Sequence, residues 1–106
     1  MENSYSLTAH ELRKMIAKGR VAGASVIDQL FSRIEKLDGR VKAFVLADKE
    51  NAKKAAADFP KNGALAGIPV LIKDNICVRD EETTCASRIL KGFKPPYDAT
   101  VVRRLK

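Results

Sequence analysis

Lys73 is the residue best placed to do chemistry. It closes the run Leu65-Ala66-Gly67-Ile68-Pro69-Val70-Leu71-Ile72-Lys73-Asp74-Asn75, in which Val, Leu and Ile lie between a Gly-Pro break and an Asp-Asn pair. Such a run reads as a short buried strand. A lysine at its end is partly withdrawn from water, and desolvation disfavours the charged form and lowers the pKa. A neutral lysine accepts a proton and can activate a nucleophile. The spacing also fits a plainer reading, in which Lys73 leaves the sheet and reaches solvent.

Other chemistry-bearing residues are few. Cys77 and Cys85 lie eight apart and form no CxxC pair, and the single His10 is remote in sequence. They are too few to close a zinc site, and two reduced structural thiols in a cytoplasmic protein are expected. His10 falls in the first turn of a helix and reads as a surface residue.

The elements that would position Lys73 follow from pattern. Thr8-Ala9-His10-Glu11 is a capping box and opens a helix to about Lys18, stopped by Gly19. Ile27, Leu30, Phe31, Ile34 and Leu37 mark a second helix, from near Ser25 to Asp38-Gly39. Residues 41–46 read as a strand. Asp48 caps a third helix to about Asp58, stopped by Pro60 and the turn Lys61-Asn62-Gly63. A second strand over 68–73 completes a β-α-β unit with parallel strands. Residues 80–87 read as a loop and 88–91 as a short helical turn, Lys94-Pro95-Pro96-Tyr97 is extended, and Asp98 caps a last helix from Ala99 to Leu105. The fold class is α/β: residues 1–39 form a helical hairpin, and residues 40–106 begin a central sheet. Two parallel strands and a two-turn terminal helix need more partners than these residues supply, so the sequence reads as part of one larger domain.

Composition sets further bounds. The chain has 106 residues, 45% hydrophobic and 31% charged, which is not a disordered composition. Its net charge of +7 is concentrated in residues 88–106, where Arg88, Lys91, Lys94, Arg103, Arg104 and Lys106 face only Asp98. Such a stretch reads as a solvated face, as a contact for nucleic acid or another anionic surface, or as a segment whose balancing acidic sequence lies further on. No aromatic residues interleave with it as a single-strand-binding platform requires. There is no secretory signal and no run that would span a bilayer, so a cytoplasmic protein with no membrane partner is expected.

Gly67-Ile68-Pro69-Val70-Leu71-Ile72-Lys73-Asp74-Asn75-Ile76 resembles the first catalytic motif of the amidase signature family. Thr83-Thr84-Cys85-Ala86-Ser87-Arg88-Ile89-Leu90 and Pro95-Pro96-Tyr97-Asp98-Ala99-Thr100-Val101-Val102 are similar to its A subunits of aspartyl/glutamyl-tRNA(Asn/Gln) amidotransferases, as is Leu7-Thr8-Ala9-His10-Glu11-Leu12. The resemblance implies the N-terminal part of the amidase signature fold: two helices, then a β-α-β unit of a mixed sheet flanked by helices. It implies a Ser–cis-Ser–Lys triad with Lys73 as its base. The activity implied is glutamine hydrolysis, with the ammonia passed on to amidate Glu-tRNA(Gln) or Asp-tRNA(Asn). The implied partners are B and C subunits, with tRNA reached through the B subunit. ATP and Mg²⁺ are used by the full complex, and no cofactor is bound by this chain.

The resemblance has two departures. The family's serines lie in a Gly- and Ser-rich segment well downstream, whereas the serines here are Ser4, Ser6, Ser25, Ser32 and Ser87, none in such a context. Val78-Arg79-Asp80-Glu81 stands where many relatives carry a glycine in the loop. These residues alone are therefore expected to lack glutaminase activity. The alternatives are another truncated hydrolase of the same family and a non-catalytic basic module acting through residues 88–106.

Overall fold

The computed structural model describes residues 3–59 and 62–106. It holds four α-helices: α1 (Ala9–Ala17), α2 (Gly23–Val41), α3 (Lys49–Asp58) and α4 (Thr100–Leu105). Single 3-10 turns occupy Ser4–Ser6 and Arg88–Leu90, the second where a short helical turn is expected. The chain divides into two compact units, Met1–Pro69 and Val70–Lys106.

The first unit is helical. The Thr8 hydroxyl accepts from the Glu11 N–H at 3.3 Å, and the Glu11 carboxylate accepts from the Thr8 N–H at 2.9 Å. That reciprocal cap satisfies two donors that every helix start leaves open. Leu12 turns into the core, with Met15 and Ile16 half-buried beside it. Thr8→Ala is expected to destabilise this unit by about 1 kcal/mol, read as a lower thermal midpoint.

Helix α2 buries Val26 and Ile27 and half-buries Leu30, Phe31 and Ile34. It packs on α3 where the chain is thinnest: a Cβ on Gly23 would lie 3.2 Å from the Ala56 carbonyl oxygen. Lys49 and Lys53 of α3 pair with Asp28 of α2 at 3.1 and 2.9 Å. These contacts are solvated, so they set register more than stability. Asp48 caps α3 by accepting the Asn51 N–H at 2.9 Å. Pro60 and Lys61, two of the expected stop residues of α3, lie outside the described residues.

The expected β-α-β unit is not present: no strand occurs among the described residues. Helix α2 does not stop at Gly39 but runs through Val41, and its end is set by Lys42, left-handed at φ 54°. The Asp38 carboxylate accepts the Ala43 N–H at 2.8 Å and turns the chain there. Val45, Leu46, Val70 and Leu71, which read as strand residues, are all about half exposed or more. The apolar run is real, but no neighbouring strand takes up its backbone groups, and a parallel strand is stable only when paired and covered.

In the second unit, residues 77–83 and 93–99 run antiparallel. The Ala99 N–H donates to the Cys77 carbonyl at 2.8 Å, Asp80 N–H to Pro95 at 3.1 Å and Thr83 N–H to Phe93 at 2.9 Å. The Arg79 N–H donates to the Asp98 carboxylate at 2.8 Å. Pro95 and Pro96 have no N–H to return, so a regular ladder does not form. Thr83, Pro95 and Val102 are the buried residues of this unit. Asp98 is not the cap of α4. That position is Ala99, and the Asp98 carboxylate is engaged by Arg79 and by Lys106 at 2.8 Å.

Candidate active site

Lys73 lies near the start of the second unit, immediately before a tight turn in which its carbonyl accepts the Ile76 N–H at 3.0 Å. Its side chain is exposed, not withdrawn from water at a strand end. The desolvation expected from the apolar run is therefore not supplied by the described residues. Among them, no hydrogen bond or ion pair engages the Lys73 amine.

The neighbouring Asp74 is far more constrained. One carboxylate oxygen accepts the Thr84 N–H at 2.8 Å. The other accepts the Thr84 hydroxyl and the Ala86 N–H, the latter at 3.3 Å. The Asp74 carbonyl accepts the Cys85 N–H at 3.0 Å. This clasp holds an unusual turn, with Cys85 and Ala86 both left-handed at φ 50° and 56°. Each such non-glycine residue costs on the order of 1 kcal/mol, and that strain persists only where surrounding bonds impose it.

The pairing of Asp74 with Thr84 is a feature that the sequence pattern does not disclose. Asp and Thr readily bond nearby backbone in turns. By pattern alone, however, Asp74-Asn75 marks only the boundary of a strand. Ser87 belongs to the same loop and closes a turn, its N–H donating to the Thr84 carbonyl at 2.8 Å. The Cys77 thiol donates to the Tyr97 hydroxyl at 3.5 Å, and both cysteines are free, Cys85 being exposed. His10 is exposed on α1, as expected. An open groove along α2, lined by Tyr5, Gln29, Ser32 and Arg33, contains none of the expected site residues.

Hydrogen bonds from Thr84 hold the Asp74 carboxyl below the usual carboxylate range, and those from Lys106 and the Arg79 N–H do the same for Asp98. A carboxylate whose pKa is lowered by folding adds stability that is present above its unfolded value, about 3.9 for Asp. That stability is lost as pH falls through the folded value. The second unit is thus expected to loosen below about pH 4, its Arg79, Thr84 and Ala86 amides losing protection relative to their intrinsic exchange rates. Glu11 and Asp28 shift the same way in the first unit, so the measurement must be residue-specific, such as hydrogen exchange by NMR.

Likeness to known proteins fixes the lineage. Residues 25–106 match the family model described as Amidase. The chain belongs to the amidase family. The match runs through the basic residues 88–106, which are thus part of the amidase segment and not a free-standing basic module. Curated relatives agree. The chain is 49% identical over 102 residues to the A subunit of glutamyl-tRNA(Gln) amidotransferase from Halothermothrix orenii, covering 96% of this chain and 21% of the relative. It is 47% identical to the protein of that name from Desulforudis audaxviator, and 43% to the form numbered 1 from Clostridium acetobutylicum, each covering 96% of this chain and 22% of the relative. The amidase segment thus spans about a fifth of the length of the curated relatives it matches. No helix among the described residues is long and apolar enough to cross a membrane.

Proposed function

We propose that these residues are the lysine-bearing N-terminal part of the glutamine-hydrolysing subunit of a tRNA-dependent amidotransferase. The observation that carries this reading is similarity along nearly all of this chain to proteins named as A subunits of glutamyl-tRNA(Gln) amidotransferase, in a segment containing Lys73. Those names favour the amidotransferase over other hydrolases of the family.

In this reading Lys73 is the base of a Ser–cis-Ser–Lys triad. The neutral amine takes a proton, through a bridging serine, from the nucleophilic serine. That oxygen attacks the glutamine side-chain carbon, and ammonia leaves as an acyl-enzyme forms. Water then attacks the acyl-enzyme and releases glutamate. A lysine can serve this way only when neutral, and withdrawal from water is what favours that state. Lys73 is exposed in this structure, and in this reading both serines and a surface that covers the amine are supplied by the rest of the subunit. B and C subunits, a cytoplasmic location and tRNA held by the B subunit complete the proposal. ATP and Mg²⁺ are assigned to the partner.

The test is to read the coding frame past Lys106. A continuation into a Gly- and Ser-rich block with two serines supports the proposal, and a stop codon overturns it. The purified 106-residue chain is expected to release no glutamate or ammonia from glutamine above background. Turnover by that chain alone would show that the downstream serines are not needed.

A further inference from the structure

We propose that Asp74 is a positioning residue for Lys73, acting by locking the Thr84–Ala86 turn onto the backbone that carries the lysine. The inference rests on the reading of Lys73 as the base. Lys73 and Asp74 share a peptide bond, so whatever fixes Asp74 restricts how Lys73 leaves the chain. Four hydrogen bonds converge on Asp74: three from Thr84 and Ala86 to its carboxylate, and one from Cys85 to its carbonyl. On the other side, the Lys73 carbonyl is held by the Ile76 N–H at 3.0 Å. The lysine is therefore anchored through its backbone while its amine stays open to a reaction partner.

The chemistry of the clasp demands a carboxylate. All three groups that face the side chain of Asp74 are donors: two N–H groups and a hydroxyl. Both carboxylate oxygens accept, whereas an asparagine in the same place turns an NH₂ towards at least one donor. The turn it holds is not made from glycine, since Cys85 and Ala86 carry side chains at positive φ. Without the carboxylate the strained turn relaxes, and the peptide after Lys73 is freed with it. A displacement of about 1 Å at a reacting group lowers turnover by about 100-fold.

The test uses the complete glutamine-hydrolysing subunit with its partners, and the variants Asp74→Asn, Thr84→Val, Thr84→Ser and Lys73→Met. Asp74→Asn is expected to lower kcat by about 100-fold, with KM changed by less than about threefold. Thr84→Val, which loses the hydroxyl's bond to Asp74 and its acceptance of the Ala86 N–H at 3.2 Å, is expected to lose about tenfold, and Thr84→Ser, which keeps both, to stay near the parent. Hydrogen exchange at Thr84 and Ala86 reports whether the clasp has opened. If it opens in Asp74→Asn while kcat per folded molecule is unchanged, the positioning role is overturned and the base role stands. If Lys73→Met remains active, the base role itself falls. If Asp74→Asn does not fold, equal kcat in Thr84→Val and Thr84→Ser overturns the proposal.

Discussion

Replacing Lys73 with methionine is expected to lower glutamine hydrolysis by the complete subunit by about 10³- to 10⁴-fold, while leaving its fold intact. Methionine keeps an unbranched stem of similar length and removes the amine. Because the Lys73 side chain is exposed and makes no hydrogen bond among the described residues, its loss removes no packing from this segment. Circular dichroism should match the parent. The decisive companion is Lys73→Arg. A guanidinium retains the positive charge and its donors but cannot be deprotonated in a protein. If Lys73 acts as a base, the arginine variant is as inactive as the methionine variant. If Lys73 acts only as a fixed cation near developing negative charge, arginine restores much of the rate. Steady-state ammonia release from glutamine separates the two, and an active arginine variant would sink the base assignment.

Gly67→Ala is expected to destabilise the helical unit by about 2–4 kcal/mol, the sum of backbone strain and overpacking. Gly67 has φ of 79°, where a side chain is strained whatever space surrounds it. Here there is also no space. An added Cβ would lie 2.8 Å from the Phe59 ring and 3.2 Å from two carbons of Ile16. Phe59 follows α3 directly and Ile16 belongs to α1, so the clash falls where the loop after α3 seats against α1. For a unit of this size the expected loss is about 10–20 °C in thermal midpoint. Gly39→Ala is the control. Gly39 lies inside α2 with nothing within 4 Å of a notional Cβ, and alanine there is expected to stabilise by about 0.5–1 kcal/mol. Equal effects at the two positions would show that the Gly67 packing is not as described.

The glycine of the Lys73 motif thus has a packing role that its sequence context did not disclose. The motif Gly67-Ile68-Pro69 was legible as a break before an apolar run. That Phe59 and Ile16 close over Gly67 depends on how the helices fold back, which no local pattern encodes.

The sequence by itself determined the local signals whose physics is complete within a few residues. The Thr8–Glu11 box, the Asp48 cap and the apolar stripe of α2 each act over one or two helical turns, and each lies where the residues say. It also carried the lineage, because Lys73 and the Thr83–Ser87 and Pro95–Val102 segments are specific enough to place the chain in the amidase family. Tertiary structure decided what depends on remote partners. An apolar run becomes a parallel strand only when neighbours accept its backbone bonds, so residues 41–46 and 68–73 could not be settled by composition. Asp98 reads as a cap from its position before α4, yet Arg79 and Lys106 take its carboxylate. Asp74 likewise becomes a clasp only because the chain returns ten residues later with three donors aimed at its two oxygens. Whether a lysine is a base depends on the water around it, and that is set by whatever covers it rather than by the residues on either side.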